Sequence, residues 1–206
     1  MRIFHKRRLC LGILMAGFAC GGVPRTHYYT MDLPHAVPTE RAAIGCAITV
    51  QRFRADLILM DERILYREGS DEVNFYEYNR WASPPADLAT DFFVHRLKDS
   101  GAYARVSRHN ERAPSDLMLR GQLHRFEEVD RGKEVFTSVS LELELTEAKT
   151  GASIWRGEAE CTRPVASKDL PGVVRGIRDC LEETASKLLS SMQEKVAGAR
   201  QTSQRE

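Results

Sequence analysis

From Leu117 to Cys161 the chain keeps a two-residue beat. Leu117, Leu119 and Leu123, with Gly121 between them, face one way; Val135, Thr137, Val139, Leu141, Leu143 and Leu145 then alternate with Phe136, Ser138, Ser140, Glu142, Glu144 and Thr146. Ser153, Trp155, Gly157, Ala159 and Cys161 follow, set against Ile154, Arg156, Glu158 and Glu160. Successive side chains of a strand point to opposite sides, so the pattern predicts three antiparallel strands with one buried and one wet face. Their links, DRGK and AKTG, are short and carry glycine, as hairpin turns do. A buried face needs a cover. Val173, Val174, Ile177, Leu181, Ala185, Leu188 and Met192 supply one, as an apolar stripe on a helix from about Gly172 to Lys195.

The first half carries shorter signals. HYYTMDL, from His27, predicts a strand of modest length, and Pro34 to Ala42 a proline-broken connection. Ile44, Cys46, Ile48 and Val50 alternate with small or polar neighbours and predict a second strand running towards Phe53. RILYR (63–67) and EVNFYEY (72–78) flank the glycine-containing EGSD and predict a hairpin. Ser83 followed by Pro84 marks a helix start, with Ser83 as the cap. Leu88, Ala89, Phe92, Phe93 and Leu97 give that helix an apolar side as far as about Asp99, and Ser100 and Gly101 stop it. The expected fold class is therefore α+β, a mainly antiparallel sheet with two helices packed on one face. Residues 43–196 form its domain, and 197–206 are expected as a mobile tail.

The N-terminus adds a destination. Arg2, Lys6, Arg7 and Arg8 precede an apolar run from Leu9 to Phe18, the layout of an export signal over residues 1–19 and too short to span a bilayer. Cys20, followed by Gly21 and Gly22, ends the segment as the lipidated cysteine of a bacterial lipoprotein does. Residues 20–42 then read as a lipidated tether with the first short strand. Gly17 stands where such signals usually carry leucine, so ordinary cleavage after Ala19, giving a soluble periplasmic protein, is the alternative.

Charge and cysteines narrow the classes. Loss of residues 1–19 removes four bases and no acid, so Lys+Arg falls from 30 to 26 against 29 acids, a charge of −3 with histidine neutral. Nothing in that balance recruits nucleic acid. Cys161 lies on the apolar side of a predicted strand and Cys180 on that of a predicted helix, which makes them the candidate disulfide; three separately buried thiols, with Cys46, is the other reading. The histidines have no spacing with Cys or Asp that assembles a metal site, and no cofactor is implied. Glu142, Glu144, Glu158 and Glu160 alternate with core positions and so point to solvent, where they make a soluble surface rather than a catalytic pair. With no nucleophile motif and no phosphate-cradling loop, no enzyme is expected.

Binding chemistry is better represented. In EVNFYEYNRW, alternation puts Val73 and Phe75 on one face and leaves Asn74, Tyr76, Tyr78 and Arg80 on the other. Tyrosine and arginine offer large contact areas with hydrogen-bonding tips, so Tyr76, Tyr78 and Arg80 are the candidate partner-binding residues. Trp81 is expected instead to pack under the helix that follows it.

The signal ending in CGG, the stretch THYYTMDLP, the hairpin ERILYREGSDEVNFYEYNRWASPPADLATDFFVHRL and the segments LRGQLHRFEE and ASIWRGEAE together resemble the auxiliary lipoprotein of ABC-type transport systems. The resemblance covers nearly the whole chain after residue 19. It implies a non-enzymatic lipoprotein that docks the MCE-domain periplasmic protein of a lipid transporter at the periplasmic face of the outer membrane, held there by its N-terminal lipid, with a fold similar to the N-terminal domain of TolB. An envelope-assembly lipoprotein of TolB-like fold acting on another partner, or a secreted hydrolase with an unrecognised site, are the alternatives. Self-association into a homo-oligomer is open as well.

Overall fold

The computed structural model describes residues 24–31, 44–111 and 113–203, the last five of these as helical backbone alone. The expected export signal 1–19, Cys20 and the whole connection 34–42 lie outside the described residues. Among the described residues nine strands and two helices follow in order: β1 (His27–Tyr29), β2 (Ala47–Val50), β3 (Arg54–Ala55), a 3₁₀ turn (Leu57–Met60), β4 (Arg63–Glu68), β5 (Glu72–Trp81), α1 (Pro85–Asp99), β6 (Arg105–Arg108), β7 (Leu117–Arg131), β8 (Glu134–Glu147), β9 (Ser153–Pro164) and α2 (Leu170–Ser203).

β7 is the spine. One edge pairs antiparallel with β8 over its whole length, from Leu117↔Glu147 to Arg131↔Glu134, and β9 adds antiparallel beyond β8. The other edge takes β2, β3 and β4 in succession, all parallel, through Ile48↔Leu117, Arg54↔Gln122 and Leu65↔Glu127. β6 extends β2, while β5 and β1 extend β4. The sheet is mixed: five short pairings among the eight are parallel, while the three antiparallel ones, the meander and the hairpin, hold most of the paired residues, so the expected mainly antiparallel sheet gains a parallel half. Hairpins announce themselves through short glycine links, whereas parallel partners such as Ile48 and Leu117 meet across a helical crossover and leave no mark on local periodicity.

The meander follows its alternation closely. Leu119, Leu123, Leu141 and Leu145 are wholly buried, and Leu117 and Leu143 nearly so. A bulge between Leu123 and Arg125 shifts the beat by one, so Phe126, opposite Val139, continues the core face. Gly121 is glycine because the Phe53 ring lies against it: a β-carbon there would stand 2.6 Å from the ring. Phe53 in turn packs on Phe93 of α1, with centroids 5.2 Å apart.

Both helices cover this one face. α1 buries Leu88, Ala89, Phe92, Phe93 and Leu97, and α2 buries Val173, Ile177, Leu181, Ala185, Leu188 and Met192. Arg96 of α1 reaches Glu182 of α2 at 2.7 Å, so the helices lie side by side. Two helix ends differ from the expectation. Pro84, not Ser83, occupies the cap position of α1 and Pro85 the first turn, with no side-chain cap bond; Asp87 there takes Arg52 in a two-pronged pair at 2.5 and 2.7 Å. α2 runs on to Ser203 through most of the stretch expected as a tail, because the single Gly198 costs only about 1 kcal/mol against the helix-favouring Ala197, Ala199, Arg200 and Gln201 around it.

Candidate partner-binding face

β5 holds the three residues singled out for binding, and its neighbours give them different fates. Gly69, at φ 66°, turns the hairpin so that Leu65 faces Phe75 and Tyr66 faces Asn74. On one side of this hairpin Phe75 carries the Arg63 guanidinium 4.5 Å over its ring. Tyr76 is on the opposite side, the side the helices cover. Its ring lies 4.9 Å from that of Tyr66, and its hydroxyl donates to Glu128 Oε2 of β7 at 2.8 Å.

Glu127 and Glu128 are both almost completely buried, at 2% and 3% exposure, on opposite faces of β7. Glu127 receives Arg67 at 3.1 Å. Glu128, opposite Thr137, lies on the helix-covered side and is met by Tyr76. Burial pushes the Glu128 carboxyl up to about 7, the Tyr76 bond pulls the other way, and the nearby charge of Asp130 adds to the rise. The Tyr76 phenol is itself pushed well above its ordinary value, first by burial and then by the carboxylate it touches.

Tyr78 and Arg80 stay accessible. Tyr78 is 39% exposed and Arg80 half-buried. Arg80 is the middle of a row across three strands, Tyr28 of β1 on one side and Arg63 of β4 on the other. Tyr28 is 65% exposed, a large aromatic surface that the sequence pattern passes over because β1 is only three residues long. Asp61 closes the row: its carboxyl is held below the usual range chiefly by hydrogen bonds from Arg63, with the charge of Arg80 contributing. Trp81, next along, is wholly buried against Phe126 with centroids 5.1 Å apart, the packed corner expected of it. Of the three candidates, then, Tyr76 is turned inward, Arg80 lies beside Tyr28, and Tyr78 is exposed.

The other candidates fall elsewhere. Cys161 of β9 and Cys180 of α2 form a disulfide with Cα atoms 5.2 Å apart, fastening the last strand to the last helix, and Cys46 is buried. On the opposite face of the sheet, Glu142 and Glu144 pair with Arg156 at 3.1 and 3.8 Å and Glu160 with Arg125 at 3.1 Å, a network of exposed ion pairs. Among the described residues no group of three or more His, Cys, Asp or Glu could hold a metal ion, and no helix is long and apolar enough to cross a membrane.

The molecule is thus a two-layer domain, two helices on one face of a nine-stranded mixed sheet, with an aromatic and basic row along one end. The chain belongs to the family described as the ABC-type transport auxiliary lipoprotein component, whose pattern matches residues 29–188. A crystal structure from Xanthomonas campestris, of the family DUF330, is similar with a TM-score of 0.74 and 23% identity, over 86% of this chain and 99% of that one. An uncharacterized protein is similar with a TM-score of 0.66 at 14% identity, over 82% of this chain and 99% of its own. A hypothetical protein from Chlamydia trachomatis shares the fold more distantly, with a TM-score of 0.51 at 7% identity over 75% of this chain and 99% of its own. None of the curated proteins compared with the chain matches it.

Proposed function

We propose that the protein is a non-enzymatic lipoprotein, anchored through Cys20 at the periplasmic face of the outer membrane, that docks the MCE-domain periplasmic protein of an ABC-type lipid transporter. What carries the reading is the family match over residues 29–188, in a family of auxiliary transport components. The site that suits it is the end of β5. Exposed Tyr78, and Arg80 beside Tyr28, offer the contact types that dominate protein interfaces, and Tyr76 sets the strand that presents them. The paired helices over one face of the sheet are also the ground for a fold of the TolB N-terminal kind.

Two measurements test this. Cys20→Ser should abolish incorporation of labelled fatty acid and release the protein from the membrane fraction; an unlabelled native protein ends the anchor assignment. Replacing Tyr78 and Arg80 together by alanine should weaken capture of the purified MCE-domain protein while the melting temperature stays within a degree or so, as expected of side chains outside the buried core. Unchanged capture removes these residues from the interface.

A further inference from the structure

Leu57, Ile58, Leu59 and Met60 make up the 3₁₀ turn between β3 and β4, and only Leu59 enters the core, at 2% exposure between α1 and β7. Leu57 is 91% exposed, Met60 59% and Ile58 39%. Contiguous exposed apolar side chains mark a surface that a protein or a membrane covers. The flanking acids do not decide between the two, because the chain already meets most of them. Asp61 takes Arg63 at 2.7 Å, and Asp56 takes Gln122 at 2.9 Å and His124 at 3.3 Å; Glu62, half-buried, pairs with no side chain among the described residues.

The attachment point of the anchor does decide. In the function proposed above the lipid is on Cys20, and β1 begins at His27. That much chain, fully extended, reaches at most about 25 Å, so the β1 side of the domain is held against the bilayer. β1 is an outer strand of the sheet. Tyr28 pairs with Arg80 and Arg80 with Arg63, which puts Tyr28 two strand spacings, about 10 Å, from the start of β4; Met60 lies three residues before Arg63. The turn therefore stands within roughly 20 Å of β1, inside the reach of the tether. β9, at the far edge, is five strand spacings away, about 24 Å.

The residues nearest the anchor suit a lipid surface. From Cys20 to Met31 there is no acid, Arg25 is exposed, and Tyr28 is 65% exposed. Cations and interfacial tyrosines are favoured in a headgroup layer. Three apolar side chains hold a free protein on a membrane only weakly. A domain already tethered meets the surface at high effective concentration, so a small patch is enough.

We propose that Leu57, Ile58 and Met60 enter the headgroup layer of the membrane that holds Cys20, as a second contact that fixes how the domain stands on the bilayer. The contact rests on the lipid anchor of the function proposed above.

The test uses the lipidated full-length protein on vesicles of phosphatidylethanolamine and phosphatidylglycerol, with and without bromine on the acyl chains. Met60→Trp places an indole in the patch and Glu158→Trp places one on β9, and the native emission of Trp81 and Trp155 is subtracted. Both positions are exposed, so both variants should melt with the native protein. The Met60→Trp emission should shift to shorter wavelength on the membrane and be quenched by the brominated lipid, while Glu158→Trp does neither. Protein that sediments with the vesicles while the two indoles behave alike, quenched or not, overturns the contact and leaves the anchor standing. Protein that stays in the supernatant overturns both. Two further arms use Leu57→Asp combined with Met60→Asp in detergent. Lost capture of the MCE-domain protein would assign the patch to the transport partner, and a fall in assembly mass would assign it to contact between copies; either overturns the proposal.

Discussion

Tyr76 donates its hydroxyl proton to Glu128 across the intervening strand β4, joining β5 to the spine β7 at 2.8 Å. The bond lies on the helix-covered face, where a carboxylate is costly, and it holds the Tyr76 hydroxyl inward.

Because the Glu128 carboxyl stands near 7 in the folded chain, above its ordinary value of 4.5, the folded state holds a proton the unfolded chain gives up. Stability contributed by that proton is fully present below about pH 4.5 and is lost as pH rises through 7. Glu128→Gln keeps an acceptor for Tyr76 and cannot ionise. Thermal melts between pH 5 and 8 should show the native melting temperature falling relative to the variant, by roughly 2–4 °C for each kcal/mol in a domain of this size. Parallel curves for the two proteins refute the assignment.

Tyr76→Phe removes the donor and leaves Glu128 buried. The expected cost is about 1–3 kcal/mol, read from urea unfolding at pH 8, and smaller at pH 5 where Glu128 is protonated. A variant as stable as the native chain but defective in partner capture would place Tyr76 at the interface instead.

The Cys161–Cys180 bridge closes a loop with a sequence separation of 19 between β9 and α2. Replacing both cysteines by serine should lower stability by roughly 3 kcal/mol, and reductant should lower the native protein by a similar amount without touching the variant. Alkylation of native protein before and after reduction, followed by mass measurement, checks that two thiols appear together.

Gly121→Ala puts a methyl group 2.6 Å from a Phe53 ring that is itself buried against Phe93. The ring must shift against a packed core, so a loss of about 1–3 kcal/mol is expected in denaturant unfolding. Adding Phe53→Leu should recover part of it, since the smaller side chain relieves the contact.

Much of this fold is written in local periodicity. The β7–β8–β9 meander, the β4–β5 hairpin and the apolar stripes of both helices are legible because a side chain's burial depends on which face of its own element it occupies. β6 was not legible, since Arg105–Arg108 offers four residues with one apolar side chain and pairs only with a strand almost sixty residues away. The binding face was half legible. Tyr78 and Arg80 stood out by type, yet alternation alone placed Tyr76 with them, and nothing local says that a buried glutamate on β7 awaits its hydroxyl.

By itself the sequence determined the charge-then-apolar layout of residues 1–19, the order of the longer elements, the faces they bury and the pairing-competent positions of Cys161 and Cys180. Only the tertiary structure decided the parallel attachment of β2, β3 and β4 to one edge of β7, the inward turn of Tyr76 and the outward turn of Leu57, Ile58 and Met60. The reason is physical. Periodicity reports the environment of a residue relative to its own helix or strand, while these three outcomes depend on which distant segment lies alongside, and that choice is made by the packing of the whole core.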